Sequence, residues 1–417
     1  MEVKPLKSFV KTLAPAPDKS VTHRAIMLNS VARGKAEITN ALLGADCMST
    51  IECMRAMGAK IEVDGSRVLV EGGEELKPAE MYVGNSGTTL RLLTGLLTGY
   101  PGKFVLDGDA SIRKRPMKRV VEPLREMGAK ITFSEGVRAP LSVTGARLKG
   151  ISYNMPVASA QVKSAILLAG LNADGITTVH ETIRSRNHTE LMLKAMGAKI
   201  WIENHATAIM RGTLTAIDVD VPGDISSAAY PMVLAACLKG AHVTLKNVGV
   251  NPTRSGIITV MKECGAAVEE SQVRYAVEKI ATLDVSYTGN MKPFNIGREL
   301  IPYLIDEIPV LAVLACFIDG ESVITGAEEL KVKESNRIDT TVGMLKAMGA
   351  DITATDDGMI IRGGKGLKGG ATIDPRGDHR IAMAAAVAAA MSERGADILD
   401  PGCVAVSYPD FFRILEE

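Results

Sequence analysis

Residues 54–61 read MRAMGAKI, and similar phrases recur along the chain: LREMGAKI at 124–131, LKAMGAKI at 193–200, LKAMGADI at 345–352 and a weaker copy, MKECGAAV, at 261–268. In each copy, apolar residues at helical spacing lead into Gly-Ala and then into an alternating stretch. Glycine commonly ends helices because it adopts left-handed backbone angles without strain. The phrase therefore predicts a helix that stops at glycine and is followed by a strand.

A second phrase alternates with the first and occurs six times, beginning at Asp18, Gly84, Ser159, Gly223, Ile305 and Gly377. It consists of a small polar cluster, an apolar helix, a turn with glycine and a β-rich segment. The repeat interval of about 65–80 residues is too long for a solenoid and matches a βαβαββ unit. The last unit lacks the first phrase, and residues 3–13 (VKPLKSFVKTL) are predicted to form a strand that completes it.

The two phrases predict different environments for their helices. Helices of the second phrase are hydrophobic on nearly all sides, as in AMAAAVAAAM at 382–391, and are predicted to be interior. Helices of the first phrase carry Lys, Arg and Glu on one face and are predicted to lie outside. The fold class is therefore predicted to be α/β (α+β), with inner helices wrapped by sheets and outer helices.

Composition limits the class of protein. A chain of 417 residues, 46% of them apolar, is too long for one ordinary core and too hydrophobic to be mainly disordered. The formal net charge is zero, which disfavours a nucleic-acid binder. The six scattered cysteines predict buried thiols and no disulfide framework. The N-terminal residues lack a signal-peptide pattern, and the longest apolar run (Ile381–Met391) is too short to span a bilayer, so we expect a cytoplasmic protein without a membrane-spanning segment.

Common chemical motifs are missing from the sequence. There is no H-E-x-x-H pattern or other metal-ligand spacing, so no metal is predicted. There is also no G-x-x-x-x-G-K-[ST] and no G-x-S-x-G, which removes the commonest nucleotide-binding and hydrolase interpretations.

Polar residues of the second phrase cluster at the predicted starts of the buried helices. Helix N-termini carry unpaired N–H groups and about half a positive charge, and they bind anions. Helix capping accounts for Thr89, Ser226 and Ser227 taken singly. It does not account for cations near a helix start, because they oppose the dipole. We therefore predict an anion site around Lys19, Arg24, Arg91 and Arg380, together with Ser20, Asn85, Ser86, Gly87, Thr88, Ser159, Gln161 and His379.

Other charged groups have two interpretations each. Asp306 and Glu307 precede an apolar helix, where capping alone would suffice. Glu334 lies between Lys333 and Arg337 and is equally well explained by a surface salt-bridge helix or by a functional role. The basic run 113–115 (Arg-Lys-Arg) is typical of a solvated turn, in which one or two residues would bind a ligand.

Eight motifs taken in order resemble the family of 5-enolpyruvylshikimate-3-phosphate (EPSP) synthases. They are DKSVTHRA (18–25), GNSGTTLRLL (84–93), GDASIRKRPM (108–117), SAQVKSA (159–165), PGDISSAAY (222–230), IDEIPVLAV (305–313), KVKESNRI (331–338) and GDHRIAMA (377–384). The match extends from about Lys11 to the end of the sequence. SAQVK, RNHTE (186–190) and NPTR (251–254) are similar to the subgroup called class II.

This resemblance implies an inside-out α/β barrel of two domains, each with three βαβαββ units and pseudo-threefold symmetry, which close on substrates between them. The domains would be residues 13–223 and residues 1–12 with 224–417, the last unit being completed by the N-terminus. The implied partners are the small molecules shikimate 3-phosphate and phosphoenolpyruvate, and not nucleic acid or membrane. No cofactor is implied, because phosphoenolpyruvate is already activated, and a monomer is expected.

The resemblance also implies residue roles. Shikimate 3-phosphate would be held by Ser20, Arg24, Ser159, Gln161, Arg186, Asp306 and Lys333. Phosphoenolpyruvate would be held by Lys19, Asn85, Gly87, Arg115, Gln161, Arg337 and Arg380. The catalytic residues would be Asp306 as base for the hydroxyl, and Glu334 with Lys19 for proton transfer to and from carbon.

The chain departs from family patterns at several positions. Some members carry Ala-Lys-Thr-Phe-Pro where this chain has residues 405–409 (Ala-Val-Ser-Tyr-Pro), so a cation for phosphoenolpyruvate is missing. Pro17 stands where glycine is common in the subgroup, and Ala160 replaces a second serine. Gly87 is the small residue at the place where bulk would exclude glyphosate, so competitive inhibition by glyphosate is expected.

Three alternatives are open. The sister enolpyruvyl transferase for UDP-N-acetylglucosamine shares the fold, but it usually has Lys-Asn in the first motif and often a reactive cysteine in the basic loop. This chain has Lys19-Ser20 and no cysteine between Cys53 and Cys237. An RNA-phosphate cyclase would need a nucleotidylated histidine in another context. A catalytically inactive scaffold for an anionic metabolite is disfavoured, since all three catalytic candidates and both Arg337 and Arg380 are present.

Overall fold

The computed structural model describes residues 1–73 and 75–416. Glu74 and Glu417 lie outside the described residues, and Glu417 is the last residue of the predicted second domain. The chain divides into two compact units, Pro17–Val221 and Met1–Ala16 with Pro222–Glu417. We refer to them as the N-terminal unit and the C-terminal unit.

The strands of the described residues are short and numerous. They are β1 Glu2–Val3, β2 Val10–Leu13, β3 Lys35–Thr39, β4 Lys60–Asp64, β5 Arg67–Glu71, β6 Glu80–Tyr82, β7 Lys103–Asp107, β8 Lys130–Ser134, β9 Arg138–Thr144, β10 Ser152–Asn154, β11 Ile176–His180, β12 Ile200–Ile202, β13 Ala206–Met210, β14 Val219–Asp220, β15 His242–Gly249, β16 Ala267–Tyr275, β17 Lys279–Ser286, β18 Asn295–Ile296, β19 Gly320–Ile324, β20 Asp351–Ala354, β21 Met359–Gly363, β22 Ala371–Ile373 and β23 Ala396–Ile398.

Helices alternate with these strands. They are α1 Lys19–Ser30, α2 Ala45–Ala56, α3 Gly87–Leu97, α4 Lys118–Glu126, α5 Ala160–Gly170, α6 His188–Ala195, α7 Ile225–Cys237, α8 Gly256–Glu263, α9 Ile301–Leu304, α10 Ile308–Cys316, α11 Arg337–Ala347 and α12 His379–Ala390. Short 3₁₀ turns occur at Ile112–Lys114, Glu328–Val332, Pro401–Val406 and Phe411–Leu415.

The same strand order recurs from sheet to sheet. Residues 80–144 run strand, helix, strand, helix, strand, strand, and their sheet has the order β6-β7-β9-β8. In it β6 is parallel to β7, while β9 is antiparallel to both β7 and β8. The sheets β10-β11-β13-β12 and β18-β19-β21-β20 repeat this order. The sheet β14-β3-β5-β4 has the same pairing pattern, but its strand parallel to β3 is β14, which comes from the end of the N-terminal unit. The prediction of a mixed α/β fold is confirmed.

Residues 3–13 differ from the predicted single strand. They form β1 and β2 in two different sheets: β1 pairs with β23 and so joins the last unit, whereas β2 pairs in parallel with β15. Pro5 lies between the two strands and has no backbone N–H to donate to a ladder. The N-terminal segment therefore contributes to two sheets of the C-terminal unit.

Each helix of the first phrase stops at the glycine of that phrase, as predicted. The glycines at 58, 128, 197, 265 and 349 all have positive φ, at 104°, 99°, 84°, 92° and 93°, a conformation that other residues adopt only with strain. The strand that follows each glycine is antiparallel to its neighbour in the sheet. These glycines therefore reverse the chain onto the sheet edge.

The helices of the second phrase are interior, as predicted. All twelve residues of α12 and all nine residues of α10 are buried. By contrast, α4 buries only Val120, Val121, Pro123 and Leu124, in keeping with its charged outer face. Within the described ranges, no helix combines the length and the hydrophobicity that crossing a membrane requires.

Candidate active site

Three buried helices of the N-terminal unit begin with predicted ligand residues. Each helix is capped by the preceding side chain, Asp18, Ser86 or Ser159, which accepts a hydrogen bond from a backbone N–H of the first turn. One cap satisfies only part of the four unpaired N–H groups that begin an α-helix. These helix starts therefore combine capping with the capacity to bind an anion.

Lys19, in the first turn of α1, has a partner within the protein. Its Nζ lies 3.0 Å from Oδ2 of Asp46, in the first turn of α2, and both side chains are largely buried. A carboxylate 27 positions away therefore balances the charge of Lys19, so this cation does not by itself require a ligand anion. The pair holds the ammonium group in one position at the start of α1, and its part in an anion site stays a prediction.

Arg24 is buried, with 4% of its surface exposed. Its Nε donates to Thr189 Oγ1 at 2.6 Å and its Nη2 donates to Ser164 Oγ at 3.1 Å. Its Nη1 donates to the backbone oxygen of Ser20 at 3.0 Å. The guanidinium therefore joins α1 to α5 and α6, and it lies beside another residue predicted to bind the same ligand.

Asn85, Gly87 and Arg115 come together at the start of α3. Arg115 Nη2 donates to Asn85 Oδ1 at 2.8 Å. A Cβ placed on Gly87 would lie 2.8 Å from Arg115 Nη1, so any side chain there would have to displace the end of the Arg115 side chain. Within the basic run, Arg113 is exposed and paired with Asp107, so Arg115 is the member that contacts a predicted site residue.

Gln161 links the first turns of α3 and α5. Its Oε1 accepts a hydrogen bond from Arg91 Nη1, and its Nε2 donates to Thr88 Oγ1 at 3.1 Å. Arg91 therefore also has a partner within the protein. Arg186 is half-buried in the segment between β11 and α6.

In the C-terminal unit, Arg337 binds three carboxylates. Its Nη1 lies 3.0 Å from Asp306 Oδ1, its Nη2 lies 2.7 Å from Glu334 Oε2 and its Nε lies 2.9 Å from Asp378 Oδ2. The Arg337 side chain is 2% exposed, whereas Asp306 and Glu334 are 17% and 26% exposed. Glu334 therefore belongs to a buried cluster and not to a surface salt-bridge helix.

The opposite charges of Arg337 and its carboxylate partners shift the pKa values of this cluster. Burial alone would lower the pKa of Arg337, but the carboxylates of Asp378, Glu334 and Asp306 outweigh burial and raise that pKa well above its usual value. Burial would likewise raise the pKa of Asp378, and the Arg337 guanidinium outweighs it, so the pKa is lowered. Arg337 therefore stays charged, and it holds the two predicted catalytic carboxylates at one place.

Arg380 follows the cap of α12. Asp378 Oδ1 accepts from the backbone N–H of Arg380 at 2.9 Å, and the residue is 3% exposed. Burial opposes its charge, but Tyr230 and the carboxylates of Asp306 and Asp224 raise its pKa. Among the described residues, its buried Nη1 atom has no hydrogen-bond partner. A buried cationic donor of this kind is suited to a ligand anion.

A second buried network adjoins these groups. Arg254 Nη2 lies 2.6 Å from Asp224 Oδ1, the cap of α7, and 3.1 Å from Ser226 Oγ. Ser226 Oγ in turn donates to Glu307 Oε1. Burial alone would raise the pKa of Asp224. The cations Arg254 and Arg380 outweigh burial and lower this pKa to about 2. Glu307 occupies the N-cap position of α10, but its side chain makes no capping hydrogen bond and belongs to this network instead.

Lys333 is half-buried at the end of a 3₁₀ turn, directly before Glu334. All six cysteines are free, and four of the six predicted buried thiols are buried, whereas Cys237 and Cys403 are half-buried. Within residues 1–73 and 75–416, no group of three or more His, Cys, Asp or Glu side chains is arranged to hold a metal ion.

The sequence analysis did not single out four charged residues that contact these groups: Asp46, Asp224, Arg254 and Asp378. Asp224 and Asp378 lie within quoted motifs, and their position just before a helix was a usable signal for a cap. Arg254 is the charged last residue of the NPTR motif, so its position within a family motif was also a usable signal. Asp46 carried no such signal, because its partner Lys19 is 27 positions away.

Comparison with known proteins gives consistent matches. The sequence model of the family described as EPSP synthase (3-phosphoshikimate 1-carboxyvinyltransferase) matches residues 3–415. A 3-phosphoshikimate 1-carboxyvinyltransferase of Shouchella clausii is 51% identical over 412 residues, which cover 97% of this chain and 95% of that protein. The protein of that name from Bacillus subtilis is 49% identical over 407 residues, covering 96% and 95%.

Two solved structures are also similar to this chain. The EPSP synthase from Acinetobacter baumannii has a TM-score of 0.88 at 41% identity, covering 99% of this chain and 96% of that one. The enolpyruvyl transferase NikO from Streptomyces tendae has a TM-score of 0.82 at 16% identity, a likeness that shows the fold alone.

Proposed function

The chain belongs to the EPSP synthase family, and on this basis we propose that it transfers the enolpyruvyl group of phosphoenolpyruvate to the 5-hydroxyl of shikimate 3-phosphate. Phosphate is the second product, and the reaction serves the biosynthesis of chorismate and aromatic amino acids. The observation that supports it best is the contact of Arg337 with both Asp306 and Glu334. This arrangement offers two carboxylates and a cation to a reaction that needs a base, an acid and charge stabilisation.

The proposed mechanism is addition followed by elimination. A proton is delivered to C3 of phosphoenolpyruvate from Glu334, with Lys19 assisting, while the 5-hydroxyl oxygen attacks C2 and gives its proton to Asp306. The product of this step is a tetrahedral intermediate. The bond from C2 to the phosphate oxygen then breaks and phosphate leaves, while Glu334, which lost its proton in the first step, takes a proton from C3 with the help of Lys19 and so restores the double bond. The buried cations would stabilise the charge on the leaving phosphate.

For shikimate 3-phosphate we propose a binding set dominated by the N-terminal unit. Arg24 is held by α5 and α6, which supports its use as a pre-oriented donor for a phosphate or hydroxyl group. Ser20, Ser159 and Gln161 lie in or beside the first turns of two helices. The remaining members of the set are Arg186, Asp306 and Lys333.

For phosphoenolpyruvate we propose the cations Lys19, Arg115, Arg337 and Arg380, with Asn85, Gly87 and Gln161. The donor atom of Arg380 that lacks a partner among the described residues supports this assignment, as does the contact between Arg115 and Asn85. Arg337 has a second use, since its contacts hold both catalytic carboxylates. No cofactor, metal or nucleic acid takes part in the proposed reaction.

Finer features of the architecture are also proposed. The recurring strand order supports an inside-out α/β barrel in each of two domains, residues 13–223 and residues 1–12 with 224–417, with pseudo-threefold symmetry. We further propose a cytoplasmic monomer that glyphosate inhibits in competition with phosphoenolpyruvate, since Gly87 has no side chain that would displace Arg115. An unchanged rate at millimolar glyphosate would contradict the last point.

The test of function is release of phosphate by the full chain with phosphoenolpyruvate and either shikimate 3-phosphate or UDP-N-acetylglucosamine. We expect release only with shikimate 3-phosphate, and its loss in Asp306→Ala. Asp356→Ala, which alters an exposed carboxylate of the same unit, is the matched control and should remain active. Release only with the sugar nucleotide would assign the sister activity, and binding without release would indicate a scaffold.

A further inference from the structure

Lys163 is a buried cation that the proposed mechanism does not use. It lies on α5, and 1% of its side chain is exposed. Its Nζ contacts Glu181 Oε2 at 2.7 Å, Glu190 Oε1 at 2.7 Å and the backbone oxygen of Ser185 at 3.2 Å. An ammonium group has three N–H donors, so each of them has an acceptor. Because desolvation offsets most of the attraction in a buried ion pair, the main effect of these contacts is to hold geometry.

The first structure that Lys163 holds is the segment between β11 and α6. Residues 181–187 have no regular helix or strand. Glu181 Oε1 accepts from the backbone N–H of Ser185 at 3.0 Å and also from its hydroxyl, while its other oxygen binds Lys163. The carboxylate and the ammonium group thus close residues 181–185 onto α5. Arg186 is the next residue, so its backbone begins from a fixed point.

The second structure is the contact of α5 with α6, which orients Arg24. Ser164 follows Lys163 on α5, Thr189 precedes Glu190 on α6, and their hydroxyl oxygens lie 2.6 Å apart. These same two hydroxyls accept the hydrogen bonds of Arg24. The ion pair and the hydroxyl pair are therefore adjacent cross-links between the same two helices.

We propose that Lys163 is a positioning residue for binding of shikimate 3-phosphate, acting through Arg186 and Arg24. The inference rests on the proposed function, which assigns both arginines to that substrate. Two cations assigned to phosphoenolpyruvate in the same unit have supports of their own, Asp46 for Lys19 and Asn85 for Arg115. Loss of the Lys163 contacts should therefore weaken the binding of shikimate 3-phosphate much more than the binding of phosphoenolpyruvate.

The test compares Lys163→Met with the wild-type chain by calorimetric titration of shikimate 3-phosphate and by steady-state kinetics. We expect the Kd of shikimate 3-phosphate to rise about tenfold or more, the loss typical of misplaced charge-assisted hydrogen bonds. The KM of phosphoenolpyruvate, measured at saturating shikimate 3-phosphate, and kcat should change less than about threefold. Lys194→Met removes an exposed lysine of α6 and should leave all three values unchanged.

A second variant covers the case in which Lys163→Met does not fold. Glu181→Gln keeps the shape of the side chain and removes one charge, and we expect the Kd of shikimate 3-phosphate to rise at least about threefold. The proposal is overturned if folded Lys163→Met or Glu181→Gln binds shikimate 3-phosphate with the wild-type Kd, or if it loses affinity equally for both substrates. Absence of shikimate 3-phosphate turnover in the wild-type chain would instead refute the proposed function itself.

Discussion

Arg337 Nη1 donates a hydrogen bond to Asp306 Oδ1 across 3.0 Å, although the two residues are 31 positions apart. The same guanidinium binds Glu334 and the cap of α12, Asp378. One buried cation thus sets the distance between two carboxylates that are proposed to move protons at different atoms. Its planar fork is suited to this, because its donors point in fixed directions.

Arg337→Lys keeps the charge but not the fork, since one ammonium group cannot reproduce the directions of bonds to three carboxylates. We expect kcat to fall about 100-fold, a loss typical of a misplaced catalytic group, with the variant still folded. Initial rates of phosphate release measure it. Arg362→Lys, at an exposed ion pair, is the matched control and should stay within about twofold. A kcat near the wild-type value in Arg337→Lys would show that the cluster does not need the fork.

Gly87→Ala should weaken phosphoenolpyruvate binding, because the new Cβ would lie 2.8 Å from Arg115 Nη1 and displace that guanidinium. We expect the KM of phosphoenolpyruvate and the inhibition constant of glyphosate both to rise about tenfold, the effect of losing one charge-assisted hydrogen bond. A double-mutant cycle with Arg115→Lys checks the route. If the two effects simply add, Gly87 does not act through Arg115.

His23 should make the protein sensitive to acid. Burial lowers its pKa from 6.5 to about 3, while its Nδ1 lies 2.7 Å from Thr50 Oγ1. The unfolded chain therefore takes up a proton below about pH 6.5 that the folded chain does not take up until about pH 3. The stability that comes from keeping His23 neutral is therefore fully present above the pKa of His23 in the unfolded chain, and it is lost as the pH falls below that value.

The corresponding measurement is the free energy of unfolding in urea at pH 7 and pH 5 for the wild-type chain and His23→Asn. Lowering the pH should cost the wild-type chain about 2 kcal/mol more than the variant. Asp224, with a pKa of about 2, loses its contribution only below this range and does not interfere. Equal pH dependence in the two proteins would show that His23 titrates normally.

Two helical glycines should respond oppositely to alanine. A Cβ on Gly95 of α3 would lie 2.2 Å from the backbone oxygen of Ala165 on α5, so Gly95→Ala must separate the two helices and should cost about 3 kcal/mol or more of stability. On α11, nothing lies within 4 Å of a Cβ on Gly343. Gly343→Ala should stabilise by about 0.5–1 kcal/mol. Urea midpoints that move in the same direction for both variants would contradict this explanation.

Most of the fold was predictable because its signals are local. The stop at Gly58 follows from the backbone angles that glycine tolerates, and the burial of α12 follows from its composition. The types of the candidate site residues were likewise visible in the motifs. Their contacts were not, and the roles assigned to them remain predictions.

The sequence by itself determined the repeats, the ends of the outer helices, the interior position of the second-phrase helices and the family. Only the tertiary structure decided that Lys19 pairs with Asp46, that Arg337 reaches Asp378 41 positions away, and that residues 3–13 are divided between two sheets. Helix ends and burial depend on a residue and its near neighbours along the chain. Ion pairs and strand partners depend on distances between remote segments, which no local spacing specifies.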